Sequence, residues 1–165
     1  MNQSDDLALH VRRLLDIEEI KNVTARYLRY LDSNQWEQLR SVFTRDATVS
    51  FEPPHPTFDG VDDFIEDMKT HLAGRRITHH GHMPEIVVHE PDRAFGMWAL
   101  HLIAEGPPAP RTSQSAAGPE GVGPRYYEFD YEREDGHWRI SNFSLRAVWV
   151  DGVAKPFERI ETLSS

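Results

Sequence analysis

The 165-residue sequence contains no cysteine, and this absence excludes several kinds of chemistry. Without thiols, the chain has no disulfide, no cysteine nucleophile and no cysteine-ligated zinc. It also lacks any apolar run near the roughly 20 residues that a transmembrane helix needs. Its first six residues are mostly polar or acidic, unlike the apolar core of a signal peptide. We therefore expect a cytoplasmic protein with no membrane partner.

Positive charge is the second shortage. Lysine and arginine together number 18, against 27 aspartate and glutamate residues, so the formal net charge is −9. A domain with this much negative charge repels the phosphate backbone of nucleic acids. We therefore expect no nucleic-acid partner.

Apolar residues are sufficient for one core. The hydrophobic fraction is 39 %, which predicts a single domain over residues 1–165. Apolar residues at helical spacing predict helices over 7–31, 36–43 and 61–72. Period-two patterns predict strands over 47–51, 76–88, 93–104, 125–133 and 137–150. Helices that precede a run of strands indicate an α+β fold, with N-terminal helices packed on a curved antiparallel sheet.

Residues 106–124 interrupt the strand pattern. Glycine, proline, alanine and serine dominate this segment, which predicts a long loop between two strands. Two interpretations remain open: a lid over a pocket, or a flexible excursion without a role.

Four short motifs carry a family resemblance through their order and spacing. They are Tyr27-Leu-Arg-Tyr-Leu-Asp32, Trp36-Glu-Gln-Leu-Arg-Ser-Val-Phe43, Thr78-His-His-Gly-His-Met-Pro-Glu-Ile86 and Asp135-Gly-His-Trp-Arg-Ile140. Over roughly residues 10–151 the chain resembles the SnoaL-like branch of the NTF2-like superfamily. That branch includes scytalone dehydratase, bile-acid 7-alpha-dehydratase and polyketide cyclases. The resemblance implies a cone-shaped fold around a pocket for a hydrophobic, carbonyl-bearing small molecule, polyketide-like or steroid-like.

The resemblance also implies catalytic residues. Tyr27 and Asp32 match the helix positions of the dehydratases, and His79 is the best match to the strand histidine, with His80 second. His79 would be the general acid and base, Tyr27 a hydrogen-bond donor to the substrate oxygen, and Asp32 the orienting carboxylate. Leu102 stands where the bile-acid dehydratase pattern has an aspartate, which favours isomerisation or cyclisation over dehydration. No cofactor is expected, because the chemistry is proton transfer.

Local geometry leaves two points of this assignment open. Tyr27 and Asp32 are five residues apart and share no face of a continuous helix, so they converge only if the helix ends near Leu31. Otherwise Tyr27 is a core aromatic residue and Asp32 caps the next helix. On the strand, a bulge of one residue decides whether His79 or His80 faces inward.

Aromatic and apolar residues on the strands predict the pocket walls and an interface. The predicted substrate-binding residues are His80, Trp98, Leu102, Tyr127 and Phe129. Because the outer face of the sheet also carries apolar residues, we expect a homodimer that covers this face. The alternative is a core packed entirely within one chain.

Other kinds of function remain possible from the sequence. His80 and His82 share a strand face, and Asp32 or His101 would complete a metal site with them, although the resemblance implies no metal. Two further hypotheses are a non-catalytic ligand-binding module and a structural subunit of a larger assembly. Both remain open because proteins with this fold also serve those roles.

Overall fold

The computed structural model describes residues 3–51, 57–58, 60–108, 125–150, 153–154 and 159. The helices are α1 (Gln3–Asp32), α2 (Trp36–Ser41) and α3 (Val61–His71). The strands are β1 (Phe43–Phe51), β2 (Thr57–Phe58), β3 (Arg76–Glu90), β4 (Arg93–Glu105), β5 (Arg125–Glu134), β6 (His137–Ala147), β7 (Trp149–Val150) and β8 (Val153–Ala154). Most of the predicted loop at 106–124, namely residues 109–124, lies outside the described residues.

Six strands form one curved, unclosed sheet in the order β2-β1-β6-β5-β4-β3. Helix α1 packs across this sheet, which confirms the predicted α+β class. The sheet is mixed rather than wholly antiparallel, because β1 and β6 run parallel. Strands β3 to β6 form an antiparallel meander, and β1 pairs with β6 at its end. Parallel neighbours need a long connection between them, and here the chain from β2 to β5 supplies it.

Helix α1 changes its surroundings halfway along its 30 residues. Residues 3–15 are all exposed, whereas the second half buries Ile20, Val23, Tyr27 and Leu31 against the sheet. Asp5 and Asp6 lie in the first turn, where negative charge complements the helix dipole. The helix therefore anchors to the sheet through its C-terminal half, which is the half that carries the predicted site residues.

Aromatic rings fill the space between α1 and the inner face of the sheet. The Tyr27 ring centroid lies 5.8 Å from that of Phe43, 5.4 Å from Phe129 and 5.5 Å from Phe143. All four side chains are almost completely buried. Edge-on and tilted ring pairs of this kind stabilise a core beyond the contribution of their buried area. The core thus holds the C-terminal half of α1 against β5 and β6.

The outer face of the sheet carries a smaller apolar cluster around Phe95 and Met97. Both are buried, with Val87 and Tyr126 packed against them. The Arg159 guanidinium lies 4.3 Å from the centroid of the Phe95 ring and also pairs with Asp130. Part of the outer face is therefore covered within one chain, while the homodimer stays a prediction.

No helix in the described ranges is long and apolar enough to cross a membrane.

Candidate active site

The centre of the site is a hydrogen-bonded pair, Asp32 and His79. Asp32 Oδ1 lies 2.6 Å from His79 Nδ1, and the backbone N–H of His79 donates to Asp32 Oδ2 at 2.9 Å. The His79 side chain is only 7 % exposed, whereas that of Asp32 is 21 % exposed. Because an ionised carboxylate only accepts hydrogen bonds, this contact favours the tautomer in which Nδ1 donates, and in the neutral form of that tautomer Nε2 is the basic nitrogen. The pair therefore presents a basic nitrogen whose orientation is fixed from behind.

This pair exists because α1 ends at Asp32. The following turn includes Asn34 with φ of 55°, and Gln35 N–H donates to Tyr30 O at 2.9 Å. A residue at the end of a helix is not bound to the helix face that precedes it, so the Asp32 carboxylate reaches β3 while Tyr27 points into the core. Tyr27 and Asp32 share no face of a continuous helix, so they could approach the same site only if α1 ended near Leu31. The helix does end there, at Asp32.

The strand register decides which histidine faces inward. His79 pairs with Leu102 of β4 and His80 pairs with His101. Directly opposed residues lie on the same face, so Leu102 shares the inner face with His79, while His80 and His101 share the outer one. His80 was predicted to bind substrate beside His79, but it is exposed on the opposite face and does not join this site. The bulge in β3 comes later, between His82 and Glu85, so it does not exchange the two.

Tyr27 lies below the pair with its hydroxyl buried. The residue is 0 % exposed, and its Oη has no hydrogen-bond partner among the described residues. Burial raises the pKa of Tyr27 well above its ordinary value, and the nearby Tyr127 and the Asp32 charge raise it further. The hydroxyl therefore stays protonated, and it interacts with the neighbouring hydroxyl of Tyr127. A buried polar group without a partner is uncommon, and a bound ligand or water is one explanation for it.

Tyr127 brings a second hydroxyl close to the pair. Its ring centroid lies 6.2 Å from that of His79 and 6.1 Å from that of Tyr27. Burial is the main cause that raises the pKa of Tyr127, and the Asp32 charge adds to it. Sequence analysis predicted Tyr127 only as a wall residue. The period-two series Tyr127, Phe129 and Tyr131 carried the signal that all three face inward.

The other predicted wall residues lie on the same inner face. Trp98 pairs with Tyr127 across β4 and β5, and its Nε1–H donates to Tyr131 Oη at 3.2 Å. Tyr131 Oη in turn lies 2.6 Å from Thr24 Oγ1 of α1. Phe129 is completely buried among the core rings, and Leu102 is half-buried. The structure thus gathers Tyr27, Asp32, His79, Trp98, Leu102, Tyr127 and Phe129 on one side of the sheet.

Two surface clefts lie elsewhere on the molecule. One of about 360 Å³ lies beside Asp130 and Arg159, and one of about 590 Å³ lies between Leu9 of α1 and Pro91 of the β3–β4 turn. Neither is lined by Asp32 or His79. The chemistry-bearing residues therefore do not coincide with these clefts.

Comparison with known proteins identifies the family. The model of the SnoaL-like domain matches residues 12–144. The chain belongs to the SnoaL-like domain family. Asp32 and His79 both lie inside the matched range, as do all the other predicted site residues.

Solved structures support the fold of this SnoaL-like domain. A candidate scytalone dehydratase from Novosphingobium aromaticivorans DSM 12444 is 21 % identical, with a TM-score of 0.70 over 90 % of this chain and 97 % of that one. An NTF2-like protein with a cystatin-like fold from Novosphingobium aromaticivorans is 19 % identical, with a TM-score of 0.68 over 100 % and 99 %. The hexachlorocyclohexane dehydrochlorinase LinA-type3 from Novosphingobium barchaimii LL02 is 19 % identical, with a TM-score of 0.66 over 89 % and 98 %. At these identities the likeness shows a shared fold, which confirms the predicted NTF2-like architecture.

One of the two metal sites that the sequence left open, that of His80 and His82 with Asp32, is not formed. Asp32 lies on the opposite side of β3 from His80 and His82, so it does not complete a site with them. In the part of the chain that the structure describes, no three histidine, aspartate or glutamate side chains stand arranged to hold a metal ion.

Proposed function

We propose that this SnoaL-like domain is a lyase or isomerase that moves a proton on a hydrophobic, carbonyl-bearing small molecule. The observation that carries the proposal is the 2.6 Å contact between Asp32 and a nearly buried His79. A histidine whose Nδ1 is held by a carboxylate is suited to accept a proton at Nε2, because the carboxylate stabilises the resulting imidazolium.

The proposed reaction begins at a C–H bond next to a carbonyl group. His79 Nε2 takes that proton, and negative charge develops on the carbonyl oxygen of the substrate. The Tyr27 hydroxyl, which has no close hydrogen-bond partner among the described residues, turns from Tyr127 to donate a hydrogen bond to that oxygen. His79 then returns the proton, either to a departing hydroxyl group or to another carbon of the substrate. Proton transfer of this kind needs no cofactor.

The surroundings of the pair support an apolar ring-bearing substrate. Trp98 and Tyr127 supply aromatic surface on the inner face, and Leu102 lies directly across from His79. Because Leu102 supplies no second acid, this position favours isomerisation or cyclisation over dehydration. Two similar structures, a candidate dehydratase and a dehydrochlorinase, are named for elimination reactions, which supports the lyase class.

Deuterium exchange tests this proposal before the product is known. The protein is incubated in D₂O with a panel of ring-bearing ketones, and loss of the α-proton signal is followed by NMR. We expect exchange with the wild type and a reduction of roughly 10²- to 10⁴-fold for His79→Gln, the range typical of general acid–base catalysis. His80→Gln is the matched control, since it changes the adjacent residue on the opposite face.

Three results would count against the proposal. Equal losses in both variants would show that position 79 has no special role. Exchange that persists in His79→Gln would move the base elsewhere. Saturable ketone binding without exchange in the wild type would favour the non-catalytic binding module.

A further inference from the structure

The outer face of β3 and β4 carries a cluster of histidines that the proposed reaction does not use. His80 and His101 are directly opposed in the strand register, and His82 is two residues further along β3 on the same face. The ring centroids of His80 and His101 are 6.0 Å apart, as are those of His80 and His82. All three residues are exposed. Their position on the far side of the sheet from Asp32 separates them from the candidate active site.

Directly opposed residues of an antiparallel pair have Cβ atoms about 4.5–5.5 Å apart, which places two side chains beside each other. Imidazole nitrogens bind late first-row divalent ions, at about 2.0–2.1 Å in the case of zinc. At present the rings of His80 and His101 lie nearly parallel, with 28° between their planes. Among the described residues, no three such side chains are already arranged to hold an ion, so binding here requires a change of rotamer. Both side chains are exposed, which leaves space for that change.

We propose that His80 and His101 form a cross-strand clamp for a divalent ion of the zinc class. His82 is placed to join as a third ligand after a change of rotamer, and water completes the coordination. The net charge of −9 favours the approach of a cation. His79 takes no part, because its Nδ1 is held by Asp32 on the other face. The clamp is thus independent of the proposed acid–base reaction.

Titration with zinc chloride tests the clamp. Untagged protein is stripped of metal and titrated by isothermal calorimetry in a buffer that does not bind zinc. We expect saturable binding of one ion per chain, weakened at least tenfold in His80→Gln and in His101→Gln. His82→Gln is expected to weaken binding less. His137→Gln is the matched control, since His137 is exposed but lies at the start of β6, and its affinity should equal that of the wild type.

Circular dichroism of each variant checks that the fold persists, as expected for exposed positions. A second readout is the NMR signals of the imidazole ring protons, in which those of His80 and His101 should respond first to added zinc. The proposal is wrong if no saturable binding occurs, or if the double variant His80→Gln/His101→Gln binds as tightly as the wild type. Equal weakening by His137→Gln would also overturn it, because binding would then be distributed over surface histidines.

Discussion

Asp32 uses both carboxylate oxygens on His79, one for the ring and one for the backbone N–H. Asp32→Asn keeps the shape and the oxygen that accepts the backbone hydrogen bond. It removes the charge that stabilises the imidazolium and favours one tautomer. We expect proton exchange to fall roughly 10²- to 10⁴-fold with little change in folding.

The measurement is the same NMR exchange assay, with urea unfolding as the stability check. Asp62→Asn is the matched control, since Asp62 is an exposed carboxylate paired with Arg40. An Asp32→Asn protein that exchanges at the wild-type rate would show that the carboxylate does not support catalysis. Nitrogen-15 spectra of the His79 ring would report whether the tautomer changes.

Removing the hydroxyl group of Tyr131 or of Tyr27 is expected to change the free energy of unfolding by different amounts. Tyr131 Oη contacts Thr24 and Trp98, so Tyr131→Phe leaves Trp98 Nε1–H without its acceptor and leaves Thr24 with only its bond to Ile20 O. We expect the free energy of unfolding to fall by about 1–3 kcal/mol. Tyr27→Phe removes a hydroxyl that has no close hydrogen-bond partner among the described residues and only a weaker interaction with Tyr127, so we expect a smaller loss of stability than for Tyr131→Phe.

The expected effects of the two substitutions on proton exchange have the opposite order to their effects on stability. Tyr27→Phe is expected to slow exchange strongly, because it removes the donor to the substrate oxygen, while Tyr131→Phe should affect exchange less. Urea unfolding and the exchange assay on the same two variants separate the roles. If Tyr27→Phe destabilises the fold and spares exchange, Tyr27 is a core aromatic residue and nothing more.

Helix α1 is tied to the β5–β6 hairpin by a buried ion pair. Asp16 is 6 % exposed, pairs with Arg133 and accepts a hydrogen bond from Trp138 Nε1–H at 3.3 Å. The Arg133 guanidinium also lies 4.6 Å from the centroid of a Trp138 ring. Asp16→Ala removes the central acceptor, while Glu19 and Asp92 remain within 3.9 and 3.6 Å of the arginine. We expect a loss of about 1.5–3 kcal/mol in the free energy of unfolding, the range for a hydrogen bond to a charged group.

Chemical denaturation measures this loss. Asp6→Ala is the control on the same helix, since Asp6 is exposed and lies only near His10, with 3.8 Å between the charged atoms. Its expected effect is within about 0.5 kcal/mol. Similar small losses in both variants would mean that the Asp16–Arg133 pair does not fix the helix to the hairpin.

The sequence patterns predicted some helices and strands more completely than others. The helical spacing from Leu7 onward predicted α1, but it did not reveal that Leu7 and Leu14 are about 64 % and 63 % exposed. The spacing of apolar residues predicts that a helix forms, but it does not show whether another part of the protein packs against its apolar face. Phe43 was assigned to the second helix but begins β1, because Ile140 N–H donates to Val42 O at 2.9 Å and pairs this segment with β6. Such long-range pairing leaves no local trace.

The candidate site depended on a single register. The sequence narrowed the strand histidine to His79 or His80, and strand alternation alone left the choice open. Pairing with β4 resolves it, since His79 faces Leu102 on the inner side. Asp32 was found through the family resemblance, while the closeness of Tyr127 to His79 depends on the registers of β3 with β4 and of β4 with β5. The spacing of residues in the chain does not contain these registers.

The whole molecule carries three buried tyrosine hydroxyls, and this makes its stability depend on alkaline pH. Burial raises the pKa of Tyr27, Tyr127 and Tyr131 above that of an unfolded tyrosine, which is about 10. Above pH 10 the unfolded chain releases protons that the folded chain keeps, so deprotonation favours unfolding. The contribution is complete below pH 10 and is lost as pH rises toward the higher folded values. Three such groups give a slope approaching roughly 4 kcal/mol per pH unit.

Urea unfolding at pH 8, 9, 10 and 11 tests this directly. We expect a constant free energy of unfolding up to about pH 9.5 and a steep fall above it. Tyr131→Phe should reduce the slope above pH 10 by about one third, since it removes one of three groups. Tyrosinate absorbance from the buried residues should appear together with unfolding. If it appears near pH 10 while the fold is intact, the three hydroxyls are accessible to solvent, and burial does not raise their pKa values in solution.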